Sequence, residues 1–180
     1  GYHAKVASFD DYLSTAEHLH QKLLVEIKPN RYDSKGMLAD FNHRYGKRLV
    51  CDHDRVHSLD YSVVERLKAM NPRLYVMYVQ PYNFTYPNTA ANGYSMEYST
   101  LTHDFIVQAH LQHKQVYAWT VNQSAVMKQE MYDNVDGIIT DNLGELNQAI
   151  NQYMDQRTYA ARLANFIMII PSPNSSTTEP

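Results

Sequence analysis

The chain has 180 residues, of which 44% are hydrophobic and 19% are charged, and its formal net charge is −3. This length and composition are typical of one globular domain, and the charge gives no support to nucleic-acid binding, which usually requires a basic surface. The single cysteine, Cys51, excludes an internal disulfide and a cysteine zinc cluster.

In the first half of the chain, short apolar strands alternate with amphipathic helices. We predict, in order, a helix over 10–20, a strand over 22–29, a helix capped by Ser34 and stopped by Gly46, a strand within 49–59, and a helix that begins at Asp60 or Ser62. The polar residues 52–54 interrupt the apolar pattern of the strand within 49–59 and leave its register open. We interpret them as the polar entrance to this strand rather than as a metal site.

The second half continues the same alternation. Residues 73–80 form an apolar run without polar interruption, which favours a strand buried on both faces in a parallel sheet. Residues 81–92 predict a long loop, and long ordered loops are usually functional. We predict further strands over 93–97, 115–121 and 136–140, and helices over 102–113, 124–132 and 143–154. We expect Glu97 to form an ion pair beside the core and Asp141 to cap the last helix.

Six strand–helix units in series predict a parallel sheet with helices outside it. The pattern alone leaves a doubly wound sheet and an incomplete barrel as alternatives. We divide the chain into a domain over residues 1–155 and an extension over 156–180, whose last ten residues have the composition of a disordered segment.

Glu26 and Lys28 are charged residues within an otherwise apolar strand. Because they are two residues apart, their side chains project from the same face of the strand. A carboxylate there can bind a hard divalent cation, and a lysine can neutralise phosphate oxygens. A surface ion pair at the strand end is an equally good interpretation of these two residues taken alone.

Four motifs in order resemble the glycerophosphodiester phosphodiesterase family. They are residues 24–29 (LVEIKP), 56–60 (VHSLD), 116–122 (VYAWTVN) and 135–141 (VDGIITD), which are similar to the third, fourth, penultimate and final strands of that family. The resemblance extends from Ser8 to about Ile150. Any one motif is weak, whereas the ordered set is specific.

The resemblance implies an α/β fold, a (β/α)8 TIM barrel, and metal-dependent hydrolysis of glycerophosphodiesters to an alcohol and glycerol phosphate, a reaction of phospholipid metabolism. In such phosphoric diester hydrolases, carboxylates hold calcium or magnesium and a histidine pair supplies acid–base chemistry. Glu26 matches a metal ligand of the family. Lys28 matches a catalytic lysine that faces the substrate phosphate, and Trp119 matches an aromatic wall of the substrate pocket.

The family pattern begins with His-Arg-Gly, then Glu-x-Asp and a second histidine, and none of these occurs before Ser8. A full barrel takes about 250 residues. We therefore expect strands 3 to 8 here without the first two βα units, and little or no activity from this span alone. The open edges at 22–28 and 136–140 predict self-association.

Two other functions stay open. One is a non-catalytic module that binds phosphodiesters through Lys28, Trp119 and the 82–94 loop. The other is a different barrel phosphodiesterase, such as a phosphatidylinositol-specific phospholipase C, although the Glu26-Ile27-Lys28 signature favours the first family. The resemblance to Gram-positive phosphodiesterases that carry transmembrane helices predicts a membrane-associated or extracellular parent protein. The span itself shows neither a signal peptide nor an apolar run long enough to cross a bilayer.

Overall fold

The structure, a computed structural model, describes residues 5–33, 35–82 and 89–169, with side chains as far as residue 160. Strands and helices alternate over these residues. They are α1 (Phe9–His18), β1 (Leu24–Glu26), α2 (Met37–Cys51), β2 (Arg55–Ser58), α3 (Tyr61–Met70), β3 (Tyr75–Gln80), β4 (Gly93–Glu97), α4 (His103–Leu111), β5 (Gln115–Trp119), α5 (Ser124–Tyr132), β6 (Gly137–Ile138) and α6 (Leu143–Ile169). A short 3₁₀ helix (Tyr98–Thr100) joins β4 to α4.

The six strands form one parallel sheet whose spatial order follows the chain order, from β1 to β6. A doubly wound sheet reverses its strand order at a switch point, whereas a barrel adds each strand beside the preceding one. The strand order therefore identifies the fold as part of a (β/α)8 barrel, as expected. Within the described chain, β1 and β6 are the two end strands of the sheet.

Alternate residues of each strand pack against the surrounding helices. Val56 and Val76 join one core cluster with helices α2 and α3. Tyr94 packs edge-on against Phe105 of α4, with 5.2 Å between ring centroids. Ala118 joins a third cluster with α5 and α6. Because strand side chains alternate, the residues between these positions face the inside of the barrel.

An arginine lies among aromatic rings on this inner face. The Arg55 guanidinium carbon is 4.7 Å from the ring centroid of Tyr75 and 5.1 Å from that of Tyr117. Gly137 lets the Tyr117 ring lie against the backbone of β6, since a Cβ atom at position 137 would be 2.8 Å from that ring. Arg55 and the rings of Tyr75 and Tyr117 thus pack together toward the amino-terminal end of the inner face.

Helix α2 corrects two sequence predictions. Gly46 does not stop this helix but lies inside it, at a close contact with α3. A Cβ atom at position 46 would be 2.3 Å from Asn42 Oδ1, which accepts a hydrogen bond from Asn71 Nδ2 at 3.1 Å. Glycine is therefore used here for space rather than for a turn. The helix continues to Cys51, so the strand within 49–59 is shortened to Arg55–Ser58.

The other helix boundaries agree with the sequence more closely. Asp60 caps α3 by accepting from Ser62 N, and Thr102 caps α4 by accepting from Phe105 N. Helix α2 begins after Gly36, and the predicted cap, Ser34, lies outside the described residues. So do residues 83–88 of the predicted loop and the predicted disordered end.

Helix α6 continues to Ile169, well past its predicted end at residue 154. The division of the chain at residue 155 stays a prediction. Among the described helices, none combines the length and the apolar character that crossing a membrane requires.

Candidate active site

A cleft of about 420 Å³ opens at the carboxyl ends of the strands. This is the end of a parallel barrel at which active sites are built. The cleft brings together residues of β1, β2, β3 and β5 and of the segments that follow β1, β2, β5 and β6. Its lining residues are Glu26, Lys28, His57, Leu59, Val79, Trp119, Thr120 and Ile139. The three site residues singled out from the sequence, Glu26, Lys28 and Trp119, are all among them.

Glu26 and Lys28 form an ion pair in this cleft. Lys28 Nζ lies 3.1 Å from Glu26 Oε2, with the lysine side chain 75% exposed and the glutamate side chain 37% exposed. An exposed pair of this kind contributes only about 0–1 kcal/mol. Each of the two charged groups can therefore leave its partner and bind a ligand at little energetic cost.

His57 lies beside this pair and was missed as a site residue by the sequence analysis. It occupies the position on β2 that pairs with Glu26 in the parallel register. Burial lowers the pKa of its imidazole, with the Glu26 carboxylate acting in the opposite direction. Nδ1 is buried and has no hydrogen-bond partner in the described structure. The sequence signal that could have placed His57 in the cleft is strand alternation, since a core position for the apolar Val56 puts the next side chain on the opposite face.

Trp119 ends β5 and forms part of the cleft wall. The peptide bond that joins it to Thr120 is cis. Its indole Nε1 is buried without a hydrogen-bond partner among the described residues. The ring therefore presents carbon atoms, rather than its N–H group, to the open space.

Three aliphatic side chains complete this wall. Leu59, which follows β2, is 55% exposed, whereas Val79 on β3 is 7% exposed. Ile139 is half-buried just after β6, where its backbone N–H donates to Ala118 O at 2.8 Å. The cleft thus has a charged side at β1 and an apolar side that runs from β2 to β6.

Glu97 and Asp141 do not have the roles expected from the sequence. Glu97 Oε2 accepts from the backbone N–H of Ser99 at 3.0 Å and caps the 3₁₀ helix, and no ion pair of Glu97 is found among the described residues. Helix α6 is capped by Asn142, whose Oδ1 accepts from the backbone N–H of Glu145 at 3.1 Å. Asp141 instead accepts from Asn122 Nδ2 at 3.0 Å. This bond joins the segments that follow β5 and β6.

Residues 52–54 lie at the opposite end of the strands from the cleft. Asp54, which is buried, precedes β2 and accepts from the backbone N–H of Leu23 at 2.8 Å, before β1 begins. Asp52 terminates α2. These contacts explain the polar interruption as a junction between the helix and two strand entrances.

The cleft supplies one oxygen ligand of the type that a divalent cation prefers. Glu26 supplies a partly exposed carboxylate, and magnesium is commonly bound by one or two carboxylates together with water and substrate phosphate oxygens. In the part of the chain that the structure describes, no three residues of the metal-binding types converge. Glu26 is therefore suited to share a cation with other ligands rather than to enclose it.

The sequence profile of the glycerophosphoryl diester phosphodiesterase family matches residues 2–145. The chain belongs to this family. The match includes the charged strand, His57, Trp119 and the beginning of α6, and so covers every element that lines the cleft. No curated protein matches the chain in a sequence comparison.

Solved structures of phosphodiesterases share the fold. The Silicibacter pomeroyi protein described as a glycerophosphoryl diester phosphodiesterase has a TM-score of 0.70 and 18% identity over 82% of this chain. A glycerophosphodiester phosphodiesterase from Parabacteroides distasonis has a TM-score of 0.66 and 17% identity over 82% of this chain. An Oleispira antarctica phosphodiesterase, solved in complex with the product sn-glycerol-3-phosphate, has a TM-score of 0.63 and 15% identity over 79% of this chain. The chain spans 56%, 64% and 60% of the lengths of these three proteins, respectively.

Proposed function

We propose that the cleft serves the hydrolysis of glycerophosphodiesters to an alcohol and glycerol phosphate, as a step of phospholipid metabolism. The observation that carries this proposal is the convergence of Glu26, Lys28 and Trp119 in one cleft at the carboxyl ends of the strands. Membership of the phosphodiesterase family and the product complex of the Oleispira relative support it.

Each residue has a chemical role in this proposal. The Lys28 ammonium binds the phosphate and offsets its negative charge, and the Trp119 ring packs against the organic part of the substrate. Glu26 holds one side of a calcium or magnesium ion. When bound, such a cation would withdraw electron density from the phosphate oxygens and so favour attack of water on phosphorus. As the bond from phosphorus to the water oxygen forms, the water gives up a proton, the bond from phosphorus to the alcohol oxygen breaks, and that oxygen takes up a proton in exchange.

The donor count of the cleft limits the turnover that this span can supply. One carboxylate and one histidine line the cleft in the described structure, whereas acid–base hydrolysis draws on positioned donors and acceptors for both oxygens. We expect slight turnover from residues 1–180 alone, together with measurable binding of glycerol phosphate.

Binding of sn-glycerol 3-phosphate, followed in the presence of calcium or magnesium, tests the proposal. Trp119 is the only tryptophan in the chain, so its fluorescence reports on the cleft directly. Lys28→Met should weaken binding about tenfold through loss of a charge-assisted contact. Glu26→Gln should abolish the effect of the cation on binding. Lys47→Met, at an exposed position of α2, is the matched control and should bind normally.

The same binding experiment, combined with an assay for release of the alcohol, distinguishes the proposed hydrolysis from a second candidate function. The small number of acid–base groups in the cleft favours a non-catalytic module that binds phosphodiesters. Binding that depends on Lys28, with no release of alcohol even when the chain is extended by the residues that its natural gene encodes upstream, would identify such a module. Binding that is unaffected by both Lys28→Met and Glu26→Gln would contradict both functions.

The proposed location is the outer side of a membrane, or a membrane-associated site, in the parent protein. Its support is the resemblance of the motifs to phosphodiesterases with transmembrane helices ahead of the barrel. Fractionation of cells that express the natural gene, with detection of this domain in the membrane or external fraction, tests it. Recovery of the domain only from the cytosolic fraction would count against this location.

A further inference from the structure

We propose that the cleft selects glycerophosphodiesters whose alcohol is apolar, such as an alkyl or acyl-bearing alcohol, over those with a cationic headgroup. This inference rests on the proposed function and defines its substrate class more narrowly. It follows from the division of the cleft into a charged side and an apolar side.

The apolar side has the shape and chemistry of a hydrocarbon-binding wall. Leu59, Val79 and Ile139 come from three different strand ends and line the same cleft as the indole of Trp119. Leu59 is 55% exposed, which leaves a large aliphatic side chain open to water at the mouth. Covering it with an apolar group removes this surface from water, whereas a polyhydroxylated headgroup would lose hydrogen bonds to water there.

Among the described residues that line the cleft, the apolar side holds no carboxylate with which a cationic headgroup could pair. Glu26 is the one acidic residue that lines the cleft in the described structure, and it is paired with Lys28 at 3.1 Å. A quaternary ammonium is usually held by several aromatic rings, and Trp119 is the single aromatic residue in this lining. The Trp119 N–H group is buried, so the indole offers a choline group no polar contact.

The ordering of polar and apolar groups also fixes the orientation of the substrate. Glu26 lies at the end of β1 and Lys28 lies just after it, where both would meet the phosphate. Leu59, Val79 and Ile139 belong to β3 and to the segments that follow β2 and β6. An alcohol attached to the bound phosphate therefore extends along the apolar wall.

Three ligands that share the phosphate test this inference with the full 180-residue chain. They are sn-glycerol 3-phosphate, glycerophosphocholine and the hexyl ester of glycerol 3-phosphate, the last used below its micelle concentration. Each buried methylene raises affinity about fourfold. We expect the hexyl ester to bind at least about ten times more tightly than glycerophosphocholine. It should also shift the emission of Trp119 to shorter wavelength.

Leu59→Ser should lower the ratio of hexyl-ester affinity to glycerophosphocholine affinity about fivefold, since it replaces part of the apolar wall with a hydroxyl. Leu111→Ser is the matched control, because Leu111 is 69% exposed on α4, outside the cleft lining. It should leave the ratio unchanged.

The outcomes distinguish this inference from the proposed function. If glycerol phosphate binds but the hexyl ester binds no more tightly than glycerophosphocholine, the inference is wrong and the proposed function stands. If none of the three ligands binds, both are overturned. A ratio that Leu59→Ser and Leu111→Ser lower equally would also contradict the inference.

Discussion

Glu130 is a buried carboxyl group in α5, with 6% of its surface exposed. Burial raises its pKa to about 7, with smaller contributions from the negative charges of Asp133 and Glu97. The folded chain therefore holds this proton more tightly than the unfolded chain does. Its contribution to stability is present below about pH 4.5 and is lost as the pH rises to about 7.

Glu130→Gln should remove this pH dependence. We expect the free energy of unfolding at pH 8 to rise by about 1–2 kcal/mol, less than the whole pKa difference implies because solvent still screens part of the carboxyl group. The gain should vanish near pH 4. Urea unfolding from pH 4 to pH 8 measures it, with Glu65→Gln on the exposed face of α3 as the control. An equal gain at both pH values would show that the charge of Glu130 is not the cause.

At the residue scale, Glu26 and Lys28 were conspicuous as charged residues in an apolar strand, whereas the site role of Trp119 followed only from the family resemblance of its motif. His57 was not predicted as a site residue because the polar residues 52–54 leave the register of the strand within 49–59 open, so the pattern does not show which face carries His57. Only the end of α2 at Cys51 shows that Asp54 and His57 lie at opposite ends of the short strand β2. The length of α2 therefore decides where β2 begins and on which face of it His57 lies.

At the scale of elements, the contact between α2 and α3 depends on the absence of a side chain at Gly46. Alanine would favour the helix by about 1 kcal/mol. Its Cβ atom, however, would displace Asn42 from its hydrogen bond with Asn71 in a confined space. We expect Gly46→Ala to lower the free energy of unfolding by about 1 kcal/mol overall.

A double-mutant cycle measured by chemical denaturation checks this reason. In an Asn42→Ala background the displaced side chain is gone, so Gly46→Ala should become neutral or stabilising. Gly36→Ala, where a Cβ atom would meet nothing within 4 Å, is the control and should change stability by the same amount in both backgrounds. Destabilisation by Gly46→Ala of the same size in both backgrounds would rule out the Asn42 contact as its origin.

The helices and strands themselves were largely predictable, and the exceptions have physical causes. Strand β4 and helix α5 have the predicted bounds, Gly93–Glu97 and Ser124–Tyr132. Helix α2 was predicted to end at a glycine because glycine favours helix ends. The neighbouring helix that makes glycine necessary inside α2 is 25 residues away along the chain, at Asn71, where no local pattern reveals it.

At the scale of the whole molecule, β1 and β6 each leave one edge of the sheet without a strand neighbour in the described chain. A groove of about 560 Å³ follows the β1 edge beside Phe9 and Tyr12 of α1. On its other side, the strand bonds to β2 through Leu23 O and Ile27 N. Unpaired strand edges recruit other strands.

We therefore expect this chain to self-associate, with an average mass in sedimentation velocity that rises over a tenfold range of concentration. Leu24→Lys should shift the distribution toward monomer, because a charged lysine on an edge strand disfavours edge pairing. Leu111→Lys on α4 is the control and should leave the distribution of species unchanged. A single monomeric species at every concentration, for the unmodified chain, would refute the role of the open edges.

The strand order has a consequence for how the chain folds. Because each strand lies beside the strand that precedes it in sequence, every sheet contact joins segments that are synthesised one after the other. Loop closure over short distances is fast, and contacts between neighbouring segments form with little entropic cost. Each described βα unit can therefore dock on the described unit that precedes it, and this part of the sheet is extended one strand at a time. The half of the cleft that carries Glu26 and His57 is then assembled before Trp119 has been translated.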